Sequence, residues 1–244
     1  MTGESLGGRP VFNGGIAATS PRHSSGISYC PCPAGSPSEG VAVFVQVIQG
    51  QVDDAGKVRA AMDRWAAELA PGADGWLGST AGVTEDGRFI GLARFESEEA
   101  ARRNSDRPEQ DRWWAETSRL FRGEASFRDS SDVTLDLPGD PDQAGFVQVM
   151  QGRTTDRQRA KELMSGDSAE WASFRPDILG TVNIDHGDGG WTSVLYFTSE
   201  AEAREGERKE PPPELQAQMA EMMSLADGPI EYLDLTDPWL YGPR

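Results

Sequence analysis

The side chains best placed by type and spacing to do chemistry come in matched pairs. Gln46 and Gln148 each sit in an alternating apolar run, FVQVIQG at 44–50 and FVQVMQG at 146–152. A glutamine in apolar surroundings must bond to protein, water or ligand. The pair can therefore be a polar handle in an apolar pocket, or the two amides can bond each other or a facing backbone group across a pseudo-twofold axis. Arg94 and Tyr196 also occupy equivalent positions. Arg94 could orient an anionic or phenolic substrate and Tyr196 could pass a proton, or both could end in solvent near a strand end. Trp114 follows Trp113, and adjacent helical residues cannot both face one core. At a spacing of 102 residues Trp113 matches Leu215 and Trp114 matches Gln216, which leaves Trp114 to line a pocket or an interface.

The remaining titratable residues read as structure. His186 lies in an Asp-His-Gly-Asp-Gly-Gly stretch, the composition a turn needs. The pairs Asp129/Asp132 and Asp234/Asp237 read as turn chemistry at strand ends. Cys30, Cys32 and His23 are too few and too irregularly spaced for a zinc site, so no metal is expected. There is no phosphate loop and no nucleophile elbow.

The elements that must position these residues are duplicated. The repeated heptapeptides lie 102 residues apart, and at the same spacing Leu77-Gly78-Ser79 falls on Leu179-Gly180-Thr181 and Phe95-Glu96-Ser97 on Phe197-Thr198-Ser199. Such self-similarity decides architecture. In the first repeat, residues 43–49 alternate as a strand that Gly50 ends, and residues 54–69 carry apolar side chains at helical spacing. Residues 76–83 and 89–95 form two strands about an Asp-Gly turn. A second helix starts behind Ser97 as N-cap and breaks near Pro108, and a last strand lies within 124–137. The second repeat replays this order, with its second helix broken by the prolines at 211–213.

Strand-helix-strand-strand-helix-strand is the ferredoxin-like arrangement, an antiparallel sheet with its helices on one face. The other face must find cover, and the second repeat supplies it. The expected fold is α+β: two tandem ferredoxin-like repeats packed sheet to sheet as an intrachain dimeric α/β barrel. With Val45, Val47, Val147 and Val149 turned to the helices, Gln46 and Gln148 point between the sheets. An open pocket there favours an enzyme. A core sealed by Phe44, Ile48, Phe146 and Met150 favours a module without turnover.

Length and charge agree with this layout. The chain has 244 residues and a formal charge of −17, room for two domains of roughly 100 residues each. The repeats are read as 41–137 and 145–240, joined by a linker at 138–144. An acidic surface repels phosphate backbones and anionic lipid, so neither nucleic acid nor a membrane is an expected partner. Both cysteines precede the repeats, which fits a reducing, cytoplasmic setting. Residues 1–40, rich in Gly, Ser and Pro, are read as a disordered tail without the marks of a secretory signal.

The duplication, the strand order and the F-x-S-x-x-A pattern at Phe95, Ser97 and Ala100 resemble the dimeric α/β-barrel superfamily over about residues 42–238. Its members include antibiotic-biosynthesis monooxygenases and haem-degrading monooxygenases. The segments at 104–110 and 202–207 narrow the resemblance to a bacterial group with two such repeats. The resemblance implies a cofactor-independent oxygenase acting on a small aromatic or polyketide-like substrate, with Gln46, Gln148, Arg94 and Tyr196 as its polar set. Haem-degrading members carry a strand-one Asn, a Trp early in helix two and a following His. Here Gln46, a stretch at 100–105 without Trp, and Glu109-Gln110 stand instead, so haem is not expected and no cofactor is assigned. The alternative is a non-catalytic barrel that binds a small apolar ligand or is purely structural, since neither histidine of the chain makes a convincing base. Either way the chain is an intrachain pseudo-dimer, expected as a monomer or weak homodimer.

Overall fold

Helix and strand starts follow local chemistry. The computed structural model describes residues 43–164 and 168–243; the tail read at 1–40 lies outside the described residues. The first repeat runs β1 (Phe44–Val52), α1 (Ala55–Glu68), β2 (Trp76–Val83), β3 (Arg88–Phe95), α2 (Glu98–Ser105), α3 (Pro108–Thr117), β4 (Phe121–Ser130) and β5 (Asp132–Asp136). The second runs β6 (Phe146–Arg153), α4 (Arg157–Met164), α5 (Ser168–Phe174), β7 (Ile178–Asp185), β8 (Gly190–Phe197), α6 (Glu200–Glu207), α7 (Pro213–Ser224), β9 (Glu231–Leu235) and β10 (Trp239–Tyr241). Asp54 caps α1, and Ser97 and Ser199 cap α2 and α6 from equivalent positions; each satisfies an amide the helix leaves orphaned. Pro108 and Pro213 open α3 and α7, where a missing N–H costs nothing.

Gly50 does not end β1, which continues to Val52. A Cβ there would come within 2.5 Å of the Phe121 ring, and one on Gly152 within 2.7 Å of the Trp191 ring. The glycines are there to admit rings.

The sheets are antiparallel and five-stranded, in the orders β10-β2-β3-β1-β4 and β5-β7-β8-β6-β9. The single last strand expected in each repeat is two strands. β4 and β9 stay in their own sheets, whereas β5 crosses to pair with β7 and β10 crosses to pair with β2. Each repeat thus finishes the other's sheet, covering an edge that would otherwise expose unpaired amides.

The valines settle which face is which. Val43, Val45, Val47, Val147 and Val149 join Ile90, Leu92, Val182, Ile184, Val194, Leu233 and Leu235 in one buried cluster between the sheets. Phe44, Ile48, Phe146 and Met150 face the helices instead. The orientation read from sequence is therefore reversed, because smooth β-branched side chains interdigitate best between flat sheets. Rings fit better under helices.

A glutamine pair does meet across the pseudo-twofold axis, but it is Gln49 with Gln151. Gln49 Nε2 donates to Gln151 Oε1 at 2.8 Å, and Gln151 Nε2 donates to Thr192 Oγ1 at 2.9 Å. Thr192 Oγ1 lies 2.9 Å from His186 Nε2. Burial, reinforced by the nearby Arg128, lowers the His186 pKa to about 4, so the ring is neutral in the fold. An unfolded chain would protonate it first. Its contribution to stability is therefore complete above about pH 6.5 and is lost as pH falls towards 4. His186→Gln should flatten the decline of melting temperature across that window; a decline as steep as wild type would assign the titration to other groups.

Candidate functional site

The helix-facing side of the second sheet carries a cavity of about 440 Å³, inside the range of small-molecule sites. Its floor is built in rows by strand register. Thr134 of β5 lies opposite Asn183 of β7, which lies opposite Ser193 of β8, which lies opposite Met150 of β6. The next row runs Asp136, Thr181 and Leu195. Two floor positions thus come from the first repeat through the exchanged β5. The roof comes from α4, α5 and α7. Five of the chain's seven methionines line the space: Met150, Met164, Met219, Met222 and Met223. Met164, Met219 and Met223 are exposed at its mouth.

Polar groups in the cavity fall into two sets. Inside, Ser193 Oγ donates to Asn183 Oδ1 at 2.7 Å, and Trp171 Nε1 donates to Gln218 Oε1 at 2.8 Å. At the edges the charges are paired. Arg157 meets Asp185 at 2.8 Å, Lys161 meets Asp132 at 2.5 Å and Arg175 meets Asp177 at 2.7 Å. Burial raises the Asp185 carboxyl, but hydrogen bonds from Arg157 and Gly187 outweigh it and hold the group below its ordinary range.

The corresponding place in the first repeat is nearly solid, with about 40 Å³ left. The insertion before α7 shifts the frame, so Pro213 answers Pro108 and Trp113 answers Gln218 rather than Leu215. The hydrogen bonds agree: Trp113 Nε1 donates to Ala61 O, as Gln218 Nε2 does to Leu163 O. On this frame Trp114 becomes Met219 and Phe121 becomes Ala226, while ahead of the insertion, at the spacing of 102, Val58 becomes Ala160. On the exchanged strands, Trp239 and Tyr241 become Thr134 and Asp136. Trp239 packs 6.3 Å from Phe89, and Phe121 packs edge-on at 5.3 Å to the same ring. Accordingly β2 is buried on both faces in its centre, whereas burial on β7 alternates from Leu179 onward.

None of Gln46, Gln148, Arg94, Tyr196 and Trp114 lines the open cavity, whereas Asp132, read as a turn residue, does. Gln148 donates to Asp234 Oδ1 at 2.9 Å, and Arg204 also holds that carboxylate. Gln46 sits opposite Asp129; burial raises the Asp129 pKa and the Gln46 side chain counters it. Both glutamines face helices, not the space between the sheets, and Asp129 and Asp234 are their strand partners rather than turn residues. Arg94 and Tyr196 are the pair that does lie between the sheets. Tyr196 is 2 % exposed and shares a 2.7 Å hydrogen bond with Thr80. Arg94 Nε is buried there without a partner. Trp114 plugs the first repeat, 5.2 Å from Phe127. The signal for this cavity was in the duplication: small Ala81 and Gly91 are replaced by Asn183 and Ser193, and rings by Met, Gln and Ala.

No family model matches the chain, and no curated protein matches it. Solved structures do. A candidate monooxygenase from Lactobacillus acidophilus NCFM is 10% identical, aligns over 82% of this chain and 96% of its own, and gives a TM-score of 0.63. One from Fusobacterium nucleatum is 9% identical over 83% and 95%, with a TM-score of 0.66. An anthrone oxidase-like protein is 11% identical over 83% and 94%, with a TM-score of 0.57. At these identities the likeness is one of fold alone: two ferredoxin-like repeats packed sheet to sheet as a dimeric α/β barrel.

Removing one plug tests the comparison of the two halves. Trp239→Ala should cost about 3 kcal/mol of stability, read by urea unfolding. A loss under about 1 kcal/mol would show that the ring is not packed as described.

Proposed function

We propose that this is a monooxygenase-like barrel with one working half: the second repeat binds a single ring-bearing, largely apolar molecule. The observation that carries this reading is the tenfold difference in free volume, about 440 against 40 Å³, at equivalent places in one chain. Methionines adapt to flat rings and make favourable sulfur–aromatic contacts. Trp171 and Trp191 add ring faces.

The chemistry we assign is oxidation by molecular oxygen without a bound cofactor. Among the described residues the lining offers no histidine or cysteine to hold a haem iron. Asp132 and Asp185 are tied up in ion pairs, whereas Asp136 makes none among the described residues. Asp136 is the proton acceptor in this reading. A doubly benzylic CH₂ of an electron-rich substrate gives up a proton, and the carbanion passes one electron to O₂. The radical pair combines to a hydroperoxide, which loses water to leave a carbonyl. The sum is CH₂ plus O₂ to C=O plus H₂O. The protein supplies orientation and excludes water. A fold relative described as anthrone oxidase-like is in keeping with such a substrate. We place the protein in the reducing cytoplasm, on its lack of cysteine within the repeats, and expect it to work as a monomer or weak homodimer.

The test is stoichiometry and turnover together. Titration with an anthrone should show one site per chain, with oxygen uptake that Asp136→Asn lowers about a hundredfold at unchanged affinity. Met219→Trp with Ala226→Phe, which copies the first repeat, should abolish binding while the fold persists. Binding without oxygen uptake would make the barrel a carrier. Two sites per chain would end the one-sided reading.

A further inference from the structure

Resting on the ligand reading above, we infer that the second-repeat cavity is selective for an uncharged ring compound bearing a hydroxyl or carbonyl oxygen, read by the row Thr134–Asn183–Ser193. Two observations carry this.

The first is where hydrogen-bonding capacity is left over. Ser193 uses its proton on Asn183 Oδ1 at 2.7 Å. That bond turns the Asn183 amide N–H groups away from Ser193. Neither those N–H groups nor the Thr134 hydroxyl has another side-chain hydrogen bond among the described residues, and the two residues are register partners at the cavity floor. The row therefore presents donors from Asn183 and a donor–acceptor from Thr134, flanked by Met150 on the same row. An apolar ligand covering it would strip these groups of water with nothing in return. A ligand oxygen satisfies them. At equivalent positions the first repeat has Trp239, Ala81 and Gly91, which offer no such row.

The second observation is the charge at the cavity wall. Among the described residues every cation lining it is committed. Arg157 pairs with Asp185, Lys161 with Asp132 and Arg175 with Asp177, at 2.8, 2.5 and 2.7 Å. Arg153 lies 3.8 Å from Asp188 and 3.9 Å from Asp227. An anionic ligand would have to displace a carboxylate, and it would also meet Asp136. The wall thus disfavours acids, and the floor disfavours plain hydrocarbons.

Three probes of one ring system separate these properties: 1-naphthol, naphthalene and 1-naphthoate, titrated into the full chain at neutral pH. Naphthol should bind about tenfold more tightly than naphthalene, the usual cost of leaving one buried donor unpaired. Naphthoate should bind more weakly than naphthol. Asn183→Leu should erase the naphthol advantage while leaving naphthalene affinity within about twofold. If that variant does not fold, Thr134→Val on the edge strand should shrink the same advantage. Equal binding of naphthol and naphthalene by wild type overturns the inference, as does naphthoate binding best. If none of the three binds, or all bind equally to the plugged Met219→Trp/Ala226→Phe chain, the ligand reading itself fails and takes this inference with it.

Discussion

A ferredoxin-like sheet has two faces and only one set of helices to cover them. In this chain the uncovered face is a field of β-branched residues, Val43, Val45 and Val47 on one sheet and Val147, Val149 and Val194 on the other. Exposed, such a face would bring the two sheets together by association. Placing both in one chain makes their meeting intramolecular. Everything else follows from that contact: the pseudo-twofold axis, the Gln49–Gln151 bond upon it, and the short strands that each repeat sends across. β5 and β10 reach the foreign sheet edge because the facing sheet is already alongside.

The exchanged strands make each half depend on the other. Asp132 of β5 is met by Lys161 of α4, and Asp237, just ahead of β10, by Arg59 of α1. These exposed pairs are worth little in stability, but they mark matching docking positions. What the strands carry decides the state of each half. β10 brings Trp239 and Tyr241 under the first repeat's helices, where Tyr241 also donates to Asp63 at 2.8 Å. β5 brings Thr134 and Asp136, too small to fill the equivalent space.

A homodimer of identical chains would have two identical cavities. Duplication removes that constraint, since one copy can fill while the other stays open. The first repeat has taken the route of density: Trp65, Trp76, Trp113, Trp114, Phe121 and Trp239 occupy its helix-facing side. Close packing of that kind stabilises a domain. The second repeat keeps methionines, an asparagine and exposed apolar surface there. It gives up packing that the first repeat retains, as binding sites commonly do.

The duplication, the strand order, the Ser97-capped helix start and the sheet-to-sheet packing were all legible in the sequence, because periodicity and repeated motifs are local. The polar residues that recur in both repeats were legible too, but recurrence marked them as architecture: Gln46 and Gln148 hold strand partners. Only the tertiary structure decided which strand face is interior. Alternation names two faces without saying which meets a sheet and which meets helices. It also decided where β5 and β10 go, since a few residues after a bend carry no mark of the sheet they will join. The cavity is the sum of these choices. It is made by residues that differ between the repeats, drawn from both halves of the chain, and so it appears only when the exchanged strand is in place.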